Sequence, residues 1–76
     1  MPQSKPGETL RGTVVSFNDL RGYGFIRVPG MRDVFCHWKE LIQDKKRKTL
    51  MEGQRVEFEL GKNERGVVAT NVRIIQ

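Results

Sequence analysis

Two short segments decide the fold of this chain: residues 21–28, RGYGFIRV, and residues 33–38, DVFCHW. Both are rich in aromatic and β-branched residues, and the turn residues Pro29 and Gly30 stand between them, a pattern that predicts two strands joined as a hairpin. Side chains of a strand alternate between faces, so residues two apart share a face. Each segment therefore has one face of small or aliphatic residues and one face of rings.

The ring-bearing face is the unusual feature of this hairpin. Tyr23 and Phe25 share one face of the first segment, Phe35 and His37 share one face of the second, and Trp38 follows directly. Aromatic residues in strands are often core residues, but here the opposite faces already supply an aliphatic core. We therefore expect one exposed aromatic patch, which usually marks a binding surface. Rings bordered by cations suit single-stranded nucleic acid, whose bases stack on them.

The same patterning outward from the hairpin predicts an all-β domain of five strands. Short apolar and polar alternations are separated by turn residues, and a single helical turn is predicted over residues 38–42. A flat sheet of five short strands would expose two edges, and closure into a barrel removes most of that exposure. The predicted strands cover residues 10–17, 23–28, 33–37, 55–60 and 67–75.

Alternation also predicts the core. In the fourth strand Val56, Phe58 and Leu60 share the inner face, and Cys36 is predicted to be a small core residue beside Val34. Residues 61–66 are predicted as the turn before the fifth strand. For that strand the sequence leaves two alternatives for the inner set: Val68, Thr70, Val72 and Ile74, or Val67, Ala69, Asn71 and Arg73.

The length of 76 residues allows one small domain, predicted over residues 9–76 after a flexible leader at residues 1–8. No apolar run approaches the roughly 20 residues of a membrane span. The single cysteine and single histidine are too few for a four-ligand zinc site, and nothing supplies a nucleophile with its base. We therefore expect a cytoplasmic protein with no enzymatic activity and no cofactor.

The charge balance gives a reason to consider a polyanion as partner. Lys and Arg total 14 against 9 acidic residues, a net charge of +5. The densest cluster is the loop run Lys45, Lys46, Arg47 and Lys48. This run is interpreted either as a solvated loop or as a mobile clamp that orders on a bound strand.

Five motifs in order now show a resemblance to the cold-shock domain family, over about residues 10–75. They are FN at 17–18, RGYGFI at 21–26, DVFCHW at 33–38, LMEGQRVEF at 50–58 and ATNV at 69–72. The resemblance implies a five-stranded antiparallel oligonucleotide-binding (OB-fold) barrel. It also implies binding of single-stranded RNA and DNA by base stacking, with a role as RNA chaperone or transcription antiterminator.

The resemblance also assigns site residues. The family's stacking rings match Tyr23, Phe25, Phe35, His37 and Trp38, and a further surface aromatic matches Phe17. Arg21 matches the basic residue that opens the glycine-aromatic motif, Asp33 a base-contacting acid, and Arg65 a basic residue of the last loop. Together with the cationic run, the predicted nucleic-acid site is Phe17, Arg21, Tyr23, Phe25, Asp33, Phe35, His37, Trp38, Lys45, Lys46, Arg47, Lys48 and Arg65.

The chain departs from the family pattern at several positions. Ser16 stands where the family usually has tryptophan, Val15 where lysine is frequent, and Arg47 roughly where a loop aromatic is common; Trp38 replaces a frequent phenylalanine. We expect less stacking at the end of the first strand and more phosphate attraction at the loop. The alternative is a diverged protein-interaction module, or a homodimer through the aromatic patch, in place of a nucleic-acid-binding monomer.

Overall fold

The computed structural model describes residues 9–43, 48–64 and 66–75. The predicted leader at residues 1–8, and the predicted site residues Lys45, Lys46, Arg47 and Arg65, lie outside the described residues. Five strands are formed: β1 Thr9–Asn18, β2 Tyr23–Arg27, β3 Val34–His37, β4 Arg55–Asn63 and β5 Gly66–Ile74. A short 3₁₀ turn spans Trp38–Glu40.

The strands close into a barrel in the order β1-β2-β3-β5-β4, with β4 paired back to β1. The predicted all-β, five-stranded barrel of OB-fold type is thereby confirmed. Four of the strand pairs are antiparallel, whereas the pair that joins β3 to β5 is parallel. A parallel pair needs a long connection, and here residues 38–65 supply it.

The core is aliphatic apart from one phenylalanine and one cysteine. Val56 and Phe58 of β4 are fully enclosed, as their alternation predicts, while Leu60 lies half-buried at the margin. The buried core residues are Val14, Ile26, Val28, Val34, Cys36, Leu41, Leu50, Val56, Phe58, Ala69 and Val72. Tyr23, Phe25, Phe35, His37 and Trp38 are absent from this set, so the core is filled without them.

In β5 neither alternating set forms the inner face alone. Ala69 comes from one set and Val72 from the other, yet both are buried. The β4–β5 register shifts between Glu57 and Glu59, and Asn71 has a φ of 49°. This left-handed residue makes an irregularity that turns the strand, so that positions three apart both point inward.

The largest differences from the predicted boundaries lie at the β4–β5 hairpin and after β3, whereas the other strand ends agree to within one residue. Gly61 and Lys62, predicted as part of a turn, continue β4 by pairing with Val68 and Val67. The helical turn predicted to reach residue 42 ends at Glu40, because Leu41 turns into the core and bridges to β5. Within the described ranges no helix is long and apolar enough to cross a membrane.

Cys36 is fully buried, as predicted, beside the other core residues of β3. Burial raises the pKa of its thiol from 9.0 to about 12, and the charge of Glu40 adds to this shift. Because the pKa of the thiol is higher in the folded state than in the unfolded chain, its contribution to the free energy of unfolding is fully present below about pH 9. This contribution is lost as the pH rises from there through about 12.

Replacing Cys36 with alanine therefore tests how closed the core is. At pH 8 the variant should be less stable than the wild type because a buried sulfur is lost. At pH 10 the unfolded wild type gains stability by ionising, so the difference should shrink by about 1 kcal/mol. Urea unfolding of both proteins at the two pH values measures this change. An unchanged difference would mean that the thiol is not shielded from water.

Candidate nucleic-acid interface

The β2–β3 pairing brings the predicted rings together on the outer side of the barrel. Phe25 stands directly opposite Phe35, and Tyr23 opposite His37. Directly opposed side chains on one face of an antiparallel pair lie about 5 Å apart at Cβ, close enough for ring contact. We call the surface formed by Tyr23, Phe25, Phe35, His37 and Trp38 the aromatic face.

The three rings at its centre contact one another. Tyr23 stacks on Phe35 with centroids 5.5 Å apart and planes 27° apart. Phe25 meets Phe35 edge to face at 5.9 Å and Tyr23 at 6.5 Å. Such contacts hold each ring in place. Phe25 nevertheless keeps 38% of its surface exposed, so the group presents ring area to solvent.

Trp38 extends the aromatic face because the 3₁₀ turn starts immediately after β3. The ring of His37 lies 5.9 Å from that of Trp38, with planes 33° apart. His37 Nδ1 caps the turn by accepting from the backbone N–H of Lys39 at 3.3 Å. Because a backbone N–H can only donate, Nδ1 carries no hydrogen in this arrangement, and Nε2 is left as a donor for a ligand.

Gly22 fixes the position of the tryptophan. Its carbonyl accepts from the N–H of Trp38 at 2.8 Å, and its φ of 76° is one that side-chain-bearing residues rarely adopt. A Cβ at this position would lie 2.3 Å from Trp38 Cδ1. Gly22 therefore makes room for the indole of Trp38, a residue that remains 42% exposed.

Phe17 takes a different position from the other predicted rings. It stands opposite Gly24 in the β1–β2 pair, and its ring would collide with a Cβ on that glycine, at 2.8 Å from Cδ1. The ring is half-buried and packs against the core. Among the described residues, the ring–ring contacts do not include Phe17. The structure thus sets Phe17 at the margin of the site.

Cationic side chains of β2 and of the 3₁₀ turn lie beside the aromatic face. Arg27, two residues after Phe25 in β2, pairs with Asp33 across the hairpin at 3.2 Å. Both side chains remain partly exposed. Arg21 is exposed in the turn that leads into β2. Lys48 is half-buried after the stretch that the structure leaves undescribed. Lys39, which the sequence pattern did not single out, holds its Nζ 6.0 Å from the centre of the Trp38 ring.

Acidic residues lie both near the rings and away from them, and Asp33 and Asp19 each line a recess that Phe25 helps to form. Glu57 and Glu59 lie on β4, where Glu57 pairs with Arg11 of β1 at 3.4 Å and Glu59 accepts from Asn71 at 3.4 Å. Neither of these two glutamate carboxylates lines either of the surface recesses that Phe25 helps to form. The two glutamates of β4 therefore lie apart from the recesses around Phe25.

Beside Phe25 and Phe35 lies an apolar recess of about 630 Å³ that the sequence pattern did not predict. Its lining also includes Met31 and Val67, and Val67 is 47% exposed. Val67 reaches this position because β5 runs parallel to β3, with Val68 beside Phe35. Only the barrel closure brings these residues together, so no local sequence signal could have indicated the recess.

Five-stranded OB-fold barrels are an architecture that binds oligonucleotides on the face of strands two and three, which is where this chain carries its rings. The profile of the 'Cold-shock' DNA-binding domain matches residues 10–75. The chain therefore belongs to the cold-shock DNA-binding domain family, a family of nucleic-acid-binding proteins.

Two curated relatives and one solved structure illustrate the similarity. The cold shock-like protein CspA of Stigmatella aurantiaca is 51% identical over 65 residues, covering 84% of this chain and 94% of the relative. The cold shock protein CspA of Staphylococcus aureus is 50% identical over 62 residues, covering 82% and 92%. Drosophila Unr CSD456 shares the fold with a TM-score of 0.73 at 21% identity, covering 91% of this chain and 27% of that one.

The contact between Gly22 and Trp38 can be tested with two alanine substitutions. Gly22 and Gly30 both have positive φ, so Gly22→Ala and Gly30→Ala each incur a backbone penalty of about 1–2 kcal/mol. Only Gly22→Ala meets the indole, since nothing lies within 4 Å of the Cβ position at Gly30. Gly22→Ala should therefore lose roughly 1–3 kcal/mol more stability. It should also shift the Trp38 emission maximum.

Urea unfolding followed by circular dichroism measures the two stabilities, and native emission spectra report the tryptophan environment. Gly30→Ala serves as the matched control and should keep the wild-type spectrum. Identical spectra and equal stability losses for both variants would contradict the role given to Gly22.

Proposed function

We propose that this protein binds single-stranded nucleic acid, RNA or DNA, by stacking successive unpaired bases on the aromatic face. Its cellular role is then that of an RNA chaperone or transcription antiterminator of cold-shock type. Membership of the cold-shock DNA-binding domain family supports the binding of nucleic acid. The preference for single strands and the stacking mode rest on the geometry of this chain.

The observation that carries the proposal is the contact between Tyr23, Phe25 and Phe35 on the outside of a barrel whose core is complete without them. Exposed apolar rings cost solubility and are retained where they contact a partner. Unpaired bases offer flat faces at successive positions along a strand, and each stacked base contributes about 1–3 kcal/mol. A duplex hides those faces between its own bases.

The charges support a polyanion in preference to a protein partner. Arg27 and Lys39 lie beside the rings, and Arg21 is exposed in the turn that precedes Tyr23. Glu57 is paired with Arg11 between β4 and β1. Cations beside stacked bases contact phosphates and release counterions, so affinity must fall with salt. A protein-interaction module, or a homodimer through the rings, would not show a salt-dependent affinity for an oligonucleotide.

Phe25→Ala and Phe35→Ala should each weaken binding of heptathymidine or hepta-uridine by about tenfold or more, because each substitution removes one stacking surface. Both rings lie outside the core, so the fold should persist. Quenching of the single tryptophan, Trp38, reports binding directly. Met51→Ala provides the control, since this apolar side chain is 67% exposed in the loop before β4.

Wild-type affinity in both ring variants, with circular dichroism unchanged, would exclude stacking on this surface. Absence of any binding to either oligonucleotide at low salt would instead favour the protein-interaction alternative. Equilibrium sedimentation would then determine whether the partner is a second copy of the chain.

The bordering cations should set the salt dependence. Arg21→Gln is expected to make the plot of log affinity against log salt less steep by about 0.7, the value for one phosphate of a single strand that the protein no longer neutralises. Arg11→Gln removes the same charge from the side of the barrel where Arg11 pairs with Glu57, and it should leave the slope unchanged. Equal changes in the two slopes would indicate a response to net charge alone.

A further inference from the structure

A second recess, of about 540 Å³, lies at the opposite side of Phe25, where β1 ends. We call it the β1 recess. Its volume falls in the range typical of small-ligand sites. Its lining includes Ser16, Asn18, Asp19, Leu20, Tyr23 and Phe25.

An irregularity in β1 creates the recess. Val14 pairs with Ile26, but the next pair joins Ser16 to Phe25, so Val15 is an extra residue in the strand. The insertion places Ser16 directly beside Phe25 at the edge of the aromatic face. Because the serine side chain is small, the space in front of β1 stays open between Phe25 and Leu20, which is 92% exposed.

The turn that forms one end of the β1 recess is held in place by hydrogen bonds. The N–H of Arg21 donates to Asn18 Oδ1 at 2.9 Å, and the N–H of Gly22 donates to the Asn18 carbonyl at 2.7 Å. The Asp19 carboxylate accepts from the hydroxyl of Thr49, which ties this turn to the chain before β4. The backbone of this turn is therefore ordered before any ligand arrives, which lowers the cost of binding.

These bonds also determine which polar groups remain for a ligand. Since Asn18 Oδ1 accepts from the backbone, the amide nitrogen of Asn18 is left as a donor. The Ser16 hydroxyl can donate or accept, and among the described residues it has no hydrogen-bond partner. The recess thus combines two apolar walls, Phe25 and Leu20, with hydrogen-bonding groups.

We propose that the β1 recess receives one unpaired nucleobase edge-first and reads that edge through Ser16 and Asn18. The faces of the base contact Phe25 and Leu20, while its ring carbonyls or nitrogens meet the hydroxyl and the amide. This inference rests on the proposed function, because the base belongs to the strand stacked on the aromatic face. It assigns to this end of the strand a hydrogen-bonded subsite in place of a stacking surface.

The two kinds of subsite differ in their selectivity. Stacking tolerates every base, because every base has a π-face. A subsite built to form hydrogen bonds rejects a ligand of the same shape that cannot form them, since its own polar groups are then left unpaired. The protein should therefore discriminate by hydrogen bonding at one nucleotide and tolerate changes at the stacked ones.

The test uses difluorotoluene, which has the shape of thymine but very weak hydrogen-bonding groups. It replaces thymine at each position of heptathymidine in turn, and fluorescence anisotropy of a labelled oligonucleotide gives the affinity. Wild-type protein should lose about three- to tenfold in affinity at one terminal position, as expected for one or two hydrogen bonds. The other positions should change by less than about twofold, since stacking is retained.

Two substitutions tie that position to the β1 recess. Ser16→Ala should reduce the loss at the sensitive position, because the hydroxyl no longer distinguishes thymine from its isostere. Ser16→Trp should remove the loss entirely, since the indole fills the recess and offers a ring in its place. Leu20→Ala should weaken binding of unmodified heptathymidine about two- to fivefold by removing one apolar wall.

The failure of this proposal is distinguishable from that of the proposed function. Equal tolerance of the isostere at all seven positions, with normal binding of heptathymidine, overturns the edge-reading recess and leaves stacking intact. A sensitive position that persists unchanged in Ser16→Trp also overturns it, because the reading group then lies elsewhere. No binding of heptathymidine at all overturns both.

Discussion

The register between β2 and β3 is the constraint on which the rest of this structure depends. With Phe25 opposite Phe35, the alternate residues Ile26 and Val34 also stand opposite each other and are both buried. A slip of one residue would turn the rings inward and the aliphatic side chains outward. The pairing that builds the core is therefore the same pairing that assembles the binding surface.

That coupling explains the use of glycine around the site. Gly24 lets the carbonyl of Ser16 and the ring of Phe17 approach β2, where a Cβ would lie 2.1 Å from the carbonyl oxygen. Gly22 makes room for Trp38 in the same way. Both glycines act within the protein, where they allow β1 and the 3₁₀ turn to close on the hairpin. The ligand then meets rings whose positions the fold has already determined.

Local pattern was sufficient to predict the hairpin, the inner face of β4 and the burial of Cys36. It was insufficient where a non-local contact decides the outcome. The inner face of β5 depends on an irregularity at Asn71, and the apolar wall at Val67 depends on the parallel pairing with β3. The extra residue at Val15 likewise becomes visible only once β1 is aligned on β2. Binding roles remain predictions for all the site residues, including the four that lie outside the described ranges.

The parallel join between β3 and β5 has a consequence for how binding and folding are linked. It consists of two residue pairs, Phe35 with Val68 and Cys36 with Ala69, supplemented by a bridge from Leu41 to Val72. Such a short seam is the natural place for the barrel to open in local fluctuations. A nucleic-acid strand lying across Phe35 and Val67 would contact both β3 and β5. Its binding should therefore stabilise the pairing of these two strands and slow amide hydrogen exchange along β5.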